Sequence, residues 1–129
     1  MYCRDEINLI KCCKAVSSFQ SALDYIEYLK RNESVENYTV GSVFITGGYG
    51  VYKAAMEVDN YKVRVFYTNV STVDPVVITS YFPQLHKYIS FKRKSYDRLQ
   101  SLAPFTIEKG VLEQSDGIKF EYQLYENWD

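Results

Sequence analysis

His86 is the single histidine of this 129-residue chain, so any imidazole acid–base chemistry has to use it. It opens the most basic stretch of the sequence. Between residues 86 and 98, five cations (Lys87, Lys92, Arg93, Lys94 and Arg98) stand against Asp97 alone, a formal local charge of +4. Cations beside an acid–base group are what a metal-independent ribonuclease needs, because they stabilise a phosphorane-like transition state. His86 as the proton carrier, with Lys87 and Arg93 on the phosphate, would be its catalytic set. Without catalysis, the same cations could meet phosphates or the carboxylates of a protein partner. On one helix, Lys87, Lys94 and Arg98 would share a face, with Arg93 beside it. Tyr88, Phe91 and Tyr96 interleave with the cations and could stack bases if exposed. The countervailing feature is the acidic segment 108–129, where six acids face Lys109 and Lys119. A solvated basic face partly neutralised by the protein's own tail is the plainer expectation.

Other chemistries find weaker support. Cys3, Cys12 and Cys13 are an odd set with two adjacent members, a poor disulfide framework that fits a reducing, cytoplasmic setting. None sits in a recognisable nucleophile motif, and zinc needs about four ligands in paired spacing. No metal or other cofactor is expected. Gly47-Gly48-Tyr49-Gly50 invites a phosphate-loop reading, but that requires a helix to begin directly afterwards. Here the following residues read as a strand, so the loop is taken as a turn presenting Tyr49. Tyr49, Phe66 and Trp128 are the aromatic residues best placed to anchor a partner.

The length is that of one domain spanning 1–129. A hydrophobic fraction of 47% and a charged fraction of 24% are those of a globular protein. Net charge is −1, so no global field draws the chain to nucleic acid or an anionic membrane. No apolar run is long enough to span a bilayer. The 13 tyrosines suit half-buried sheet faces as well as partner surfaces.

The elements that must position these residues follow from periodicity. Residues 7–16 read as a short strand. Residues 17–31 read as a helix, with a capping box from Ser17 to Gln20 and an apolar stripe of Phe19, Ala22, Leu23, Ile26 and Leu29. Its role would be to cover a sheet. Residues 38–46 read as a strand. Residues 51–58 and 61–68 alternate around Asp59-Asn60, which predicts a central hairpin. A further strand is expected over 76–82 and a helix over 84–102, with Ser90 the point at which it could break; the alternative for the latter is a strand over 86–91 followed by a short helix capped by Ser95. A C-terminal hairpin is expected from 105–113 and 118–125, around Ser115-Asp116-Gly117.

The class this implies is α+β: an antiparallel sheet of about five to seven strands, a meander plus the C-terminal hairpin, with one or two helices on one face. For function, the segregated charge and missing catalytic signatures favour a small non-enzymatic binding protein that engages a macromolecule. A protein partner is preferred, as for inhibitors, immunity factors and phage or plasmid accessory proteins. The alternative is a nucleic-acid binder or small ribonuclease using 86–98. A homodimer formed through an exposed edge strand is also compatible with the pattern.

Overall fold

Sequence-local signals set up the first helix. A computed structural model of the chain describes residues 13–36, 38–74, 78, 80–114 and 116–129. Contacts divide the chain into two compact units, Met1–Thr46 and Gly47–Asp129. In the first, helix α1 (Phe19–Arg31) starts at Ser18, whose Oγ accepts the Ser21 N–H at 3.0 Å. This satisfies one of the donors that the helix start leaves open. The cap therefore lies one residue beyond the expected Ser17, and Gln20 instead donates to Asp24 at 3.0 Å. Leu23 is buried on the apolar stripe. Asn32 ends the helix, its Nδ2 donating to the Tyr28 carbonyl at 2.7 Å, and the short α2 (Glu33–Glu36) follows.

Two expected strands of this unit are not found as such. Residues 7–12 of the first lie outside the described residues, as do Cys3 and Cys12, while 13–16 have no regular structure and Cys13 is exposed. Residues 38–46 are irregular too. Phe44 is 77% exposed there. Strand propensity is mainly the ability to fit a half-buried pleated surface, and this segment has no such surface.

In the second unit, the predicted central hairpin gives way to a helix. Residues Tyr49–Met56 form α3, with Gly48 at its N-cap. The alternation of Tyr52, Ala54, Met56 and Val58 was ambiguous because the same residues also carry a helical stripe. Tyr52, Ala55 and Met56 fall at i, i+3 and i+4, and Ala54-Ala55 has the strongest helix propensity available. Burial decides between the periods: Ala55 and Met56 are both buried, neighbours that a strand would point to opposite faces.

The residues expected to return as the hairpin's second arm instead form β1 (Arg64–Ser71), and its partner is remote. It pairs antiparallel with β4 (Lys119–Glu126), from Arg64 opposite Glu126 to Ser71 opposite Lys119. The other edge of β4 is covered at its two ends, by β2 (Lys92–Arg93) and β3 (Leu112–Glu113). Four strands are thus described, fewer than the five to seven expected, and they are not a meander. The C-terminal hairpin holds near its turn, where Gly117 takes φ +80 and Gln114 N–H donates to the Ile118 carbonyl at 2.8 Å. Residues 105–111 do not extend it. Of the strand expected over 76–82, Val76, Val77 and Thr79 lie outside the described residues, and 80–82 are irregular.

The long helix expected over 84–102 is broken for a physical reason. Side chains from this segment serve both faces of the sheet. Phe91 joins Met56 and Val65 in the core, with Tyr67, Tyr88, Phe82 and Tyr125 packed around them. Arg98 reaches Glu126, on the opposite face of β4 from Tyr125. No straight helix does both, so a 3₁₀ turn (Leu85–Lys87) leads into β2 at the sheet edge, and α4 (Tyr96–Ser101) follows. Ser95 caps α4, its Oγ accepting the Arg98 N–H at 3.2 Å, as the alternative reading anticipated. Helices consequently flank both faces, not one.

Leu124 is 1% exposed and anchors the face beneath α4. Leu124→Ala is expected to cost about 2–5 kcal/mol, read as a lower urea midpoint with an unchanged slope.

Candidate functional site

Three of the five cations singled out in the sequence are neutralised by the C-terminal acids. Lys92 lies 3.5 Å from Asp129, and Arg93 lies 3.0 Å from Glu121. Arg98 makes two bonds to Glu126, from Nε at 3.0 Å and Nη2 at 3.1 Å. Lys87 is exposed on the 3₁₀ turn, and Lys94 is half-buried with its backbone N–H bonded to the Leu124 carbonyl. Lys87, Lys94 and Arg98 do not share a helical face, because the segment turns into a strand between them. His86 is exposed and does not line the apolar groove that forms over β1 and β4. Among the described residues, no cluster of His, Cys, Asp and Glu could hold a metal ion. No described helix is long and apolar enough to cross a membrane.

Glu126 is the residue that sequence reading missed. Its side chain is only 2% exposed and is bonded from two sides, by Arg98 of α4 and by Arg64 Nε of β1 at 3.0 Å. A buried carboxylate is tolerable only when paired and hydrogen-bonded. Both arginines keep about a third or more of their side chains in solvent, so the desolvation falls mainly on the carboxylate. Arg98, and then Arg64, hold the Glu126 carboxyl below the ordinary carboxylate range against the opposing effect of burial. Arg64 also lies 5.3 Å above the Trp128 ring, with Lys62 at 5.8 Å, which explains why Trp128 is half-buried. Trp128 therefore packs under the protein's own cations. On the other face of β4, Tyr125 Oη donates to Gln123, Gln123 to Glu121, and Arg93 closes the row. Gln123's amide, and then Arg93, hold Glu121 below its usual range too.

Phe66 meets a different fate. It is 59% exposed on the face shared by Arg64, Leu124 and Glu126. There it lines an apolar groove of about 530 Å³ with Leu99, Phe105, Ile107, Phe120 and Tyr122. Phe105 is 67% exposed and Tyr122 43%. The sheet supplies the floor, while α4 and the chain after it supply the wall. Glu108 is the one charged residue of the lining, and no ion pair to it is found among the described residues. Tyr49, half-exposed at the start of α3, is not part of this groove. The helix that follows the Gly47-Gly48 pair corrects the strand expected there. Phe105 and Tyr122 left one sequence signal: apolar residues in a segment whose partner strand was over-assigned.

The chain matches no protein-family model and no curated protein; the groove and the ion cluster are therefore read from their chemistry.

The depressed Glu126 ionisation carries a sign. The folded carboxylate stays charged to lower pH than the unfolded one, whose value is about 4.3. Its contribution is therefore full above that value and is lost as pH falls through the lower folded value. Glu126→Gln should lower stability at pH 7 by more than the ~1 kcal/mol ceiling of an exposed pair. The difference from wild type should shrink toward pH 3, followed by urea melts at several pH values. An equal difference at pH 7 and pH 3 would assign the loss to packing instead of charge.

Proposed function

We propose that this chain is a non-enzymatic binding protein that engages another protein, in the manner of inhibitors, immunity factors or phage and plasmid accessory proteins. The observation that carries the reading is the apolar groove over β1 and β4, where Phe66 and Phe105 are each more than half exposed. Aromatic anchors around an apolar floor are the usual energetic centre of protein interfaces. A small ligand would leave Phe66 and Phe105 in water, whereas a partner surface would cover them. The Glu108 carboxylate at the groove, which has no ion pair among the described residues, favours an apolar partner segment flanked by a lysine or arginine.

The basic segment supports a protein over a nucleic acid, since three of its cations already face Glu121, Glu126 and Asp129. Phosphate binding by those residues would have to break these pairs first. The exposed position of His86, away from the groove, supports a role without histidine catalysis.

The test is affinity capture from native extract, with and without nuclease, using wild type, Phe105→Asp and the double variant Lys87→Glu/Lys94→Glu. The expected outcome is a stoichiometric protein that survives nuclease and the lysine changes but is weakened by about 30-fold or more in Phe105→Asp, the loss typical of an interface anchor. Recovery of nucleic acid that depends on Lys87 and Lys94 would overturn the reading.

A further inference from the structure

Among the described residues, the backbone of β1 is satisfied on one side only. The Gln114 N–H reaches the Ile118 carbonyl, and the Lys94 N–H reaches the Leu124 carbonyl. Even-numbered residues of β4 therefore point their backbone groups away from β1, and odd-numbered ones point toward it. Because antiparallel ladders alternate, Val65, Tyr67, Asn69 and Ser71 hold the bonds to β4. Arg64, Phe66, Thr68 and Val70 turn both N–H and C=O outward. No hydrogen bond described in the structure reaches these outward groups.

Natural sheets protect such an edge with proline, inward charges, bulges or a covering element. β1 reads Arg-Val-Phe-Tyr-Thr-Asn-Val-Ser over eight residues, with neither proline nor glycine. Its one charge, Arg64, sits at the end and is bonded to Glu126. Phe66 and Val70 beside the open backbone are 59% and 55% exposed. A row of alternating donors and acceptors is complemented by another strand and by little else.

We propose that this strand is the outer edge of a second copy of the chain, paired antiparallel across a two-fold axis with Thr68 opposite Thr68. The register is self-complementary. It sets Phe66 of each copy opposite Val70 of the other, so aromatic–β-branched pairs flank a Thr–Thr pair, two of the favoured cross-strand combinations. All of these are residues with outward backbone groups, so each pair exchanges two hydrogen bonds. On the reverse face, Tyr67 falls opposite Asn69. Sliding the copies by two residues sets Arg64 opposite Val70 in one direction and Phe66 opposite Thr72 in the other. An isologous contact of this kind closes at the dimer and leaves no further copy of the edge exposed. The edge shares Phe66 and Thr68 with the groove, whereas the groove's other anchor, Phe105, lies outside β1.

The experiment measures mass by sedimentation equilibrium and register by cross-linking. The wild-type chain should give about twice 15.1 kDa. Thr68→Pro removes only an outward N–H, sparing the β1–β4 ladder, and should give the monomer mass. Phe66→Lys, which adds a gatekeeping charge to the same edge, should do so too, covering the case where the proline variant fails to fold. Phe105→Asp should remain dimeric, which separates this proposal from the groove reading.

For the register, Cys3, Cys12 and Cys13 are replaced by serine. Thr68→Cys should then form a disulfide dimer under mild oxidation, since hydrogen-bonded pairs lie about 5.5 Å apart at Cα, a separation that disulfides span. Phe66→Cys should cross-link with Val70→Cys when the two are mixed, but not with itself. A wild-type monomer at about 100 µM, well above the range of stable dimers, would overturn the proposal. So would a dimer that survives both edge variants or cross-links only at other positions.

Discussion

Glu126 has its charge held out of water by the strand that carries most of the sheet's pairing, and this constrains everything around it. Arg98 arrives from α4 and meets both carboxylate oxygens, and Arg64 arrives from β1 to give Oε2 a second donor. The strand register is thereby tied to a charge: Arg64 stands opposite Glu126 in the ladder as well as bonded to it. A register slip by one residue would put Glu126 on the other face, away from both cations. Asn127, the next residue, reinforces the alignment, its side chain accepting the Val63 N–H at 2.8 Å and donating to the Tyr61 carbonyl at 3.0 Å. Apolar burial favours collapse onto the sheet but is nondirectional. The ion cluster and Asn127 supply direction.

That cluster also explains why the basic segment is a poor phosphate surface. Charges that appear as two separated blocks in the sequence are adjacent in space because β2 and α4 lie against β4. What remains for recognition is the apolar region between the pairs, where Phe66, Phe105 and Tyr122 stay partly in water. The large number of tyrosines has the same dual explanation. Tyr52, Tyr67 and Tyr125 pack through their rings, with Tyr52 and Tyr67 both against Phe82 at 5.0 and 5.6 Å and Tyr67 against Tyr125 at 6.2 Å. Tyr125 additionally uses its hydroxyl on Gln123. Tyr122 instead faces the groove.

Legibility in the sequence followed the range of the interaction. α1 was readable because its stripe and cap lie within one stretch of backbone, and the cap was missed by only one residue. The turn at Gly117 was readable because a positive φ there favours glycine, and the Ser95 cap was readable as a local side-chain-to-backbone bond. The exposure of Phe66 was readable because polar neighbours flank it on the strand. The hairpin placed at Asp59-Asn60 failed where local signals were evenly balanced: Ala54 and Ala55 fit either period, and only the burial of Met56 against Val65 and Phe91 broke the tie.

By itself, the sequence determined an α+β chain with antiparallel pairing, the positions of a helix cap and a tight turn, and two blocks of opposite charge within reach of each other. Tertiary structure alone decided that β1 pairs with β4 across the intervening residues 72–118, that the basic segment crosses from one sheet face to the other, and that Glu126 is the carboxylate shared by two arginines. The reason is physical. Caps and turns are satisfied by groups a few residues apart, whereas strand partners and ion pairs are selected only once distant segments are brought together, at a loop-closure cost that local sequence does not encode.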